Sequence, residues 1–124
     1  MKLENQIVIV EQAKRLKWLG VSQNAIIHYQ FNGVDDNGEH YTPIYIGSQP
    51  CDEQEKYIAA FTTSEIGRAF GYGTRASRWL MTLTADMGTV TNLFNAQYLA
   101  AKLITAIENG LTTVDEVNER LKQN

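Results

Sequence analysis

Residues 64–84 read SEIGRAFGYGTRASRWLMTLT, and whether their second half is strand or helix decides the fold. From Ser77 to Thr84, Trp79, Met81 and Leu83 fall on one side of an alternating pattern, and Arg78, Leu80, Thr82 and Thr84 on the other. Alternation with a period of two is the mark of a strand with one buried face, so the pattern predicts a strand over 77–84. Upstream, Thr63 or Ser64 is placed to cap a helix through Ile66 and Phe70 that Gly71 or Gly73 ends. A rival reading keeps the whole stretch helical. Gly67 and Gly71 suit the small-residue and turn positions of a helix-turn-helix, whose second helix would offer Ser and Arg side chains to DNA. Against it, Ser77 stands six residues after Gly71, where an apolar anchor is wanted, and Gly73 and Thr74 open a helix poorly. The strand is the preferred expectation, with the arginines solvated.

Working outward, Glu11 to Leu19 is rich in helix formers, and Gly20 sits where a left-handed cap is wanted. Ile27, Tyr29 and Phe31 then alternate with His28, Gln30 and Asn32, which predicts a strand whose outer face carries the histidine. Asn37-Gly38 is a strong hairpin signal, and Tyr41 to Gly47 is the expected return strand. With Asn37 and Gly38 as the central turn residues, Phe31 faces Ile44, Tyr29 faces Ile46 and Asn32 faces Pro43. A proline cannot donate to a ladder, so the return strand is expected at the sheet edge and the third strand on the free side of the first. Ser48 to Lys56 is polar and acidic and is expected to be a surface loop.

In the C-terminal third, Ala96, Leu99, Ala100, Leu103, Ile104 and Ile107 recur at helical spacing from a cap at Asn95, with Gly110 as the stop. Thr113 and Glu116 form a T-x-x-E capping box before a short final helix along Val114, Val117 and Leu121. Together these elements predict a single α+β domain over residues 1–124. It has a small three-stranded antiparallel sheet, a β-hairpin plus a third strand, covered on one face by helices, and a long amphipathic C-terminal helix.

The blocks Glu11-Gln-Ala-Lys-Arg-Leu-Lys-Trp-Leu-Gly20, Ala60-Phe-Thr-Thr-Ser-Glu-Ile-Gly67, Ala100-Ala-Lys-Leu-Ile-Thr-Ala-Ile-Glu-Asn-Gly-Leu111 and Val117-Asn-Glu-Arg-Leu121 occur in this order. In them the chain resembles a family of small uncharacterised proteins found in gut bacteria and their phages or prophages. The resemblance implies a mobile-element origin and a compact α+β domain, and it carries over no activity and no functional residue. Trp18 stands where that family usually has a charged residue, and Tyr72 to Phe94 matches it poorly.

Composition narrows the chemistry. Eleven Lys and Arg against fourteen Asp and Glu give a net charge of −3, unlike a chain whose whole surface coats nucleic acid or an anionic membrane. The apolar run Ile7 to Val10 is too short for a secretion signal, and no window approaches the roughly 18 to 20 apolar residues that span a bilayer. The expected location is the cytoplasm. The lone Cys51 excludes an intrachain disulfide and lies beside Asp52 and Glu53, which disfavour a thiolate. His28 and His40 have no third ligand at a metal-binding spacing, and Asp35, Asp36, Glu39, Asp52, Glu53 and Glu55 lack the calcium-loop pattern and read as a solvated rim. Gly71-x-Gly73 lacks the third glycine of a dinucleotide loop. No catalytic residue, metal ligand or cofactor site is expected.

Two features remain. Trp18 has charged helical neighbours in Glu11, Lys14 and Arg15, so it is placed either on the wet side of its helix, where an indole awaits a partner, or under a neighbouring loop. No acid occurs from Ile66 to Ala85, a stretch that holds Arg68, Arg75 and Arg78. The sequence therefore favours a non-enzymatic interaction module of a mobile element, binding a host or phage protein or a second copy of itself through Trp18. The alternative is a DNA-binding accessory protein or transcriptional regulator using Arg68, Arg75 and Arg78 on a degenerate helix-turn-helix.

Overall fold

A computed structural model describes residues 6–45, 56–87 and 95–122, with side chains described throughout except at 84–87. Helix α1, Val10–Leu19, buries Ala13 and Leu16 and has Glu11 in its first turn and Lys17 in its last, as the helix dipole favours. The Ile9 N–H donates to Gln12 Oε1 at 3.2 Å, which satisfies a donor that the apolar cap residue cannot. At the other end Gly20 takes φ 98°, and its N–H reaches the Leu16 and Lys17 carbonyls. That conformation is why glycine ends the helix.

Strand β1, Ile27–Asp35, pairs antiparallel with β2, Gly38–Tyr45, and on its other side with β3, Tyr57–Ala59, in the order β2-β1-β3. The return strand is thus at an edge and the third strand on the free side of the first. The identity of the third strand differs from expectation: Tyr57–Ala59 pairs with β1, while residues 75–87 are helical. The register also differs. Phe31 faces Tyr41, Tyr29 faces Pro43 and His28 faces Ile44, because Asp36 and Asn37 form the turn and the pairing shifts between Phe31 and Gly33. No described non-glycine residue has positive φ, which rules out the mirror-image two-residue turn. Gly38, at φ 108°, instead follows the turn as the left-handed residue of a longer one, and the Asn37 N–H donates to Asp35 Oδ1 at 2.8 Å.

Helix α2 spans Thr63–Phe70, α3 Arg75–Met87, α4 Ala96–Glu108 and α5 Val114–Lys122. The C-terminal third is therefore divided between a helix of 13 residues and one of 9. Asn95 Oδ1 caps α4 by accepting from the Gln97 and Tyr98 N–H groups at 2.9 and 3.2 Å, and Thr113 Oγ1 caps α5 by accepting from the Glu116 N–H at 3.2 Å.

One core runs from Ile7 to Leu121, with Phe61, Phe70, Leu16, Ile66 and Leu103 among its largest fully buried side chains. The base of the hairpin is embedded in it, and the tip from Val34 to Asn37 is exposed. The N-terminal segment joins the core directly: Ile7 bridges to Thr62, the Val8 N–H donates to the Phe61 carbonyl at 3.0 Å, and the Tyr29 hydroxyl donates to the Val8 carbonyl at 2.6 Å. Among the described residues no helix is long and apolar enough to cross a membrane.

Candidate nucleic-acid interface

Helix α2 is capped by Thr62, one residue ahead of the expected Thr63 or Ser64. Thr62 Oγ1 accepts from the Glu65 N–H at 3.3 Å, and Glu65 Oε1 accepts from the Thr62 N–H at 2.9 Å, a reciprocal capping box. Glu65 is buried, and its other oxygen accepts from the Ile26 N–H at 3.2 Å, so this acid is consumed in holding α2 to the start of β1. Ile66, Ala69 and Phe70 face the core, and Ser64, Gly67 and Arg68 face solvent.

The chain then turns through Gly71-Tyr72-Gly73-Thr74. Gly71 and Gly73 take φ 80° and 72°, which side chains resist. Thr74 closes the turn: its hydroxyl donates to the Phe70 carbonyl at 2.7 Å and accepts from the Ser77 N–H at 3.0 Å, capping α3. The expectation that Thr74 opens a helix poorly is thereby corrected, since a threonine at the cap supplies the oxygen that the first turn needs. The expected strand over 77–84 is corrected with it. Ala76 and Leu80 are buried, Trp79 and Leu83 half-buried, and these four recur at helical spacing. Ser77 is half-buried and its hydroxyl donates to the Thr74 carbonyl at 3.2 Å, so the missing apolar anchor is replaced by Ala76 and Leu80 on either side.

Arg120 of α5 closes the C-terminus of α2. Its guanidinium donates to the Ala69 and Phe70 carbonyls at 2.9 and 3.2 Å, to Thr112 Oγ1 at 3.3 Å and to Glu116 Oε2 at 2.9 Å. A helix C-terminus presents unpaired carbonyls and negative dipole, which a half-buried fork of donors answers well. A side chain at Gly71 would place its Cβ 2.9 Å from Arg120 Nε and 2.8 Å from Thr74 Cγ2.

Arg68, Arg75 and Arg78 are all exposed and have no carboxylate partner among the described residues, whereas the cations nearer the hairpin are paired. Tyr72, in the turn, is fully exposed at 103%. A cluster of unpaired cations with no acid in the same stretch concentrates positive potential locally, even on a chain of net charge −3. The sequence reading attaches no role to Tyr72 or Arg120 and the wrong one to Thr74. The turn positions of Tyr72 and Thr74 are readable from local sequence, but Arg120 meets α2 across 50 residues and leaves no local signal.

The other residues of interest lie apart from this motif in sequence. Trp18 is 73% exposed, on the wet side of α1, with the Arg15 guanidinium 4.5 Å from its ring centroid and Arg15 itself paired to Glu108. His28 is buried, not on an outer face: consecutive His28 and Tyr29 are both buried, so the base of β1 is covered on both faces, and His28 Nε2 hydrogen-bonds with the Gln23 carbonyl at 2.9 Å. His40 is exposed and pairs with Asp35 at 2.7 Å; that contact and the Asn37 N–H hold the Asp35 carboxyl below the usual carboxylate range. Cys51, Asp52, Glu53 and Glu55 lie outside the described residues. Among the described residues no three His, Cys, Asp or Glu side chains gather as a metal would need.

An open groove of about 870 Å³ lies between the N-terminal segment, α1 and the hairpin, with Ile7, Val10, Tyr29 and Tyr41 in its walls. Lys14 and Glu39 bridge it at 2.8 Å, and Tyr41 donates to the same carboxylate at 2.7 Å. Those hydrogen bonds hold Glu39 below its ordinary range and Lys14 above its own. Lys14 and Glu39 thus satisfy each other in the groove, whereas Arg68, Arg75 and Arg78 have no carboxylate partner among the described residues. No protein-family model, curated protein or solved structure matches the chain.

Proposed function

We propose that this chain is a DNA-binding accessory protein or transcriptional regulator of a mobile element, working in the cytoplasm through residues 63–87. The observation that carries the reading is the helix at Arg75–Met87 following the four-residue turn after α2, which presents Arg68, Arg75 and Arg78 unpaired on one contiguous stretch. A helix entering a groove needs this combination: one buried side to fix it, and one exposed side with donors for phosphates and base edges. The net charge of −3 supports local contact over general coating, since only the arginine cluster can offset repulsion from DNA.

The test is fluorescence anisotropy with labelled duplex DNA over a salt series. Three arginine contacts would give log K falling against log salt with a slope of about −3 or shallower, at about 0.9 per neutralised phosphate. The Arg75→Ala/Arg78→Ala double variant is expected to lose that binding while keeping its helical circular dichroism. No binding to any duplex at about 50 mM salt ends the proposal.

Trp18 supports a second reading, a protein-interaction module that binds a host or phage protein or a second copy of the chain. Its 73% exposure leaves a large apolar ring whose burial a partner would gain. Sedimentation of the wild type and of Trp18→Ala decides self-association: a strict monomer in both excludes it.

A further inference from the structure

We infer that the two halves of this motif divide the work on duplex DNA: the notch beside the turn seats a backbone phosphate through Arg68 and Tyr72, and the exposed stripe Arg75, Arg78 and Thr82 reads base edges in the major groove. The inference rests on the nucleic-acid reading above and adds the ligand class and the role of each residue.

The stripe follows from helix geometry. At about 100° and 1.5 Å per residue, Arg75, Arg78 and Thr82 fall within an arc of about 60° and span about 10.5 Å of the α3 axis. The buried Ala76 and Leu80 lie on the opposite side of the same helix, so packing holds the stripe outward. A rise of about 3.4 Å per base pair makes that span about three base steps. Residues 66–85 contain three arginines and no lysine. This matters because a guanidinium fork matches the O6 and N7 pair of guanine, whereas an ammonium is a point charge. The Thr82 hydroxyl donates to the Arg78 carbonyl at 2.9 Å, so the group that Thr82 offers outward is its methyl, which suits the thymine methyl. The expected preference is for two guanines near the α3 N-terminus, followed by a thymine.

The notch has a volume of about 490 Å³ and is lined by Gly67, Arg68, Gly71, Tyr72, Thr74 and Arg120, with no carboxylate in its wall. The two glycines let a phosphate approach the backbone, and the Arg120 guanidinium is already committed to the Ala69 and Phe70 carbonyls. Arg68 is the free cation of the notch, and the Tyr72 hydroxyl is fully exposed beside it. Thr74 both lines the notch and caps α3, so the notch abuts the first turn of the reading helix. Contacts to phosphate set register without carrying sequence, and contacts to base edges carry it.

The experiment selects from a library of randomised 20-base-pair duplexes. It then measures affinity for the selected duplex, a scrambled duplex and a duplex RNA of the selected sequence. Arg78→Ala is expected to weaken the selected duplex about 5- to 150-fold, to weaken the scrambled duplex much less and to relax one guanine. Arg78→Lys keeps the charge and should keep the salt slope while still losing that guanine. Arg68→Ala is expected to weaken both DNA duplexes equally and to make the salt slope shallower by about 1, with Arg68→Lys restoring it. Duplex RNA should bind no better than scrambled DNA, because the narrow A-form major groove does not admit a helix. Relaxed base preference in Arg68→Ala, uniform weakening in Arg78→Ala, or tighter binding to RNA overturns the division. Salt-dependent binding to every duplex with nothing selected overturns it while the nucleic-acid reading stands, and no binding to any duplex removes both.

Discussion

Replacing Gly71 with alanine tests the geometry on which the motif depends. Gly71 has φ 80° and ψ 174°, a region that only glycine occupies readily, at a cost of about 1–3 kcal/mol for other residues. The new Cβ would also sit 2.8 Å from Thr74 Cγ2 and 2.9 Å from Arg120 Nε. Thr74 cannot retreat cheaply, because its hydroxyl is tied to the Phe70 carbonyl at 2.7 Å and caps α3. Arg120 is the group that yields, and its displacement releases the hydrogen bonds at 2.9 and 3.2 Å that close the C-terminus of α2. Loss of one such charged hydrogen bond costs about 1.5–3 kcal/mol. The total is about 2.5–6 kcal/mol, a large fraction of the roughly 5–15 kcal/mol typical of a whole domain.

Urea unfolding measures this as a midpoint lowered by about 1 M or more. In an Arg120→Ala background the clash with Arg120 is gone and that with Thr74 Cγ2 remains, so the same substitution should cost less than in the wild type: the backbone part of about 1–3 kcal/mol plus the adjustment of Thr74. Two other glycines calibrate the argument. Gly73 has φ 72° and open space around its Cβ position, so Gly73→Ala should cost about 1–2 kcal/mol. Gly67 has open space within an ordinary helix, so Gly67→Ala should stabilise by about 0.5–1 kcal/mol. A Gly71→Ala cost below about 1 kcal/mol, or one unchanged by removal of Arg120, refutes the reasoning.

Two further outcomes are expected. Glu65→Ala leaves the Thr62 and Ile26 N–H groups without their acceptor and should lower stability by about 2–4 kcal/mol, read by thermal unfolding, with Glu65→Gln recovering part because one amide oxygen remains. Asp35, held low mainly by His40, and Glu39, held low mainly by Lys14, favour folding when ionised. Their contribution is present above the ordinary carboxylate range and is lost as pH falls through the lowered values. Amide exchange protection at the hairpin tip should therefore drop below about pH 4, while α4 stays protected. Protection unchanged to about pH 2.5 contradicts the pairing.

How much of the fold could be read beforehand follows from the length of each signal. Helices α4 and α5 carry caps at Asn95 and Thr113 and several turns of periodic apolar residues, and both appear where those signals put them. The hairpin was legible, but its register was not. Asn37-Gly38 marks a turn without saying whether the glycine lies inside it or just after it, and the extra residue at Asn32 shifts every partner beyond. Strand β3 has three residues, fewer than two periods of alternation, so no pattern could reveal it; its pairing with β1 is what defines it.

The reading of 77–84 failed for a different reason, and it concerns the segment on which the proposed function rests. Over eight residues, Trp79, Met81 and Leu83 satisfy a period of two, while Ala76, Trp79, Leu80 and Leu83 satisfy a period of 3.6, so periodicity alone cannot choose. The choice lies outside that window. Thr74 supplies a cap for a helix and nothing for a strand, and Ala76 begins the buried stripe one residue before the window opens. For Trp18 the charged neighbours left the wet side of α1 and the underside of a loop both open, and the structure has it 73% exposed. Arg120 was invisible because it acts across 50 residues. The exposed arginines were therefore legible in adjacent residues, and the contact that closes the C-terminus of α2 was written in the far helix. Gly71, where α2 gives way to the turn before α3, has Arg120 packed against it, so the geometry at that junction depends on a side chain that no local window contains.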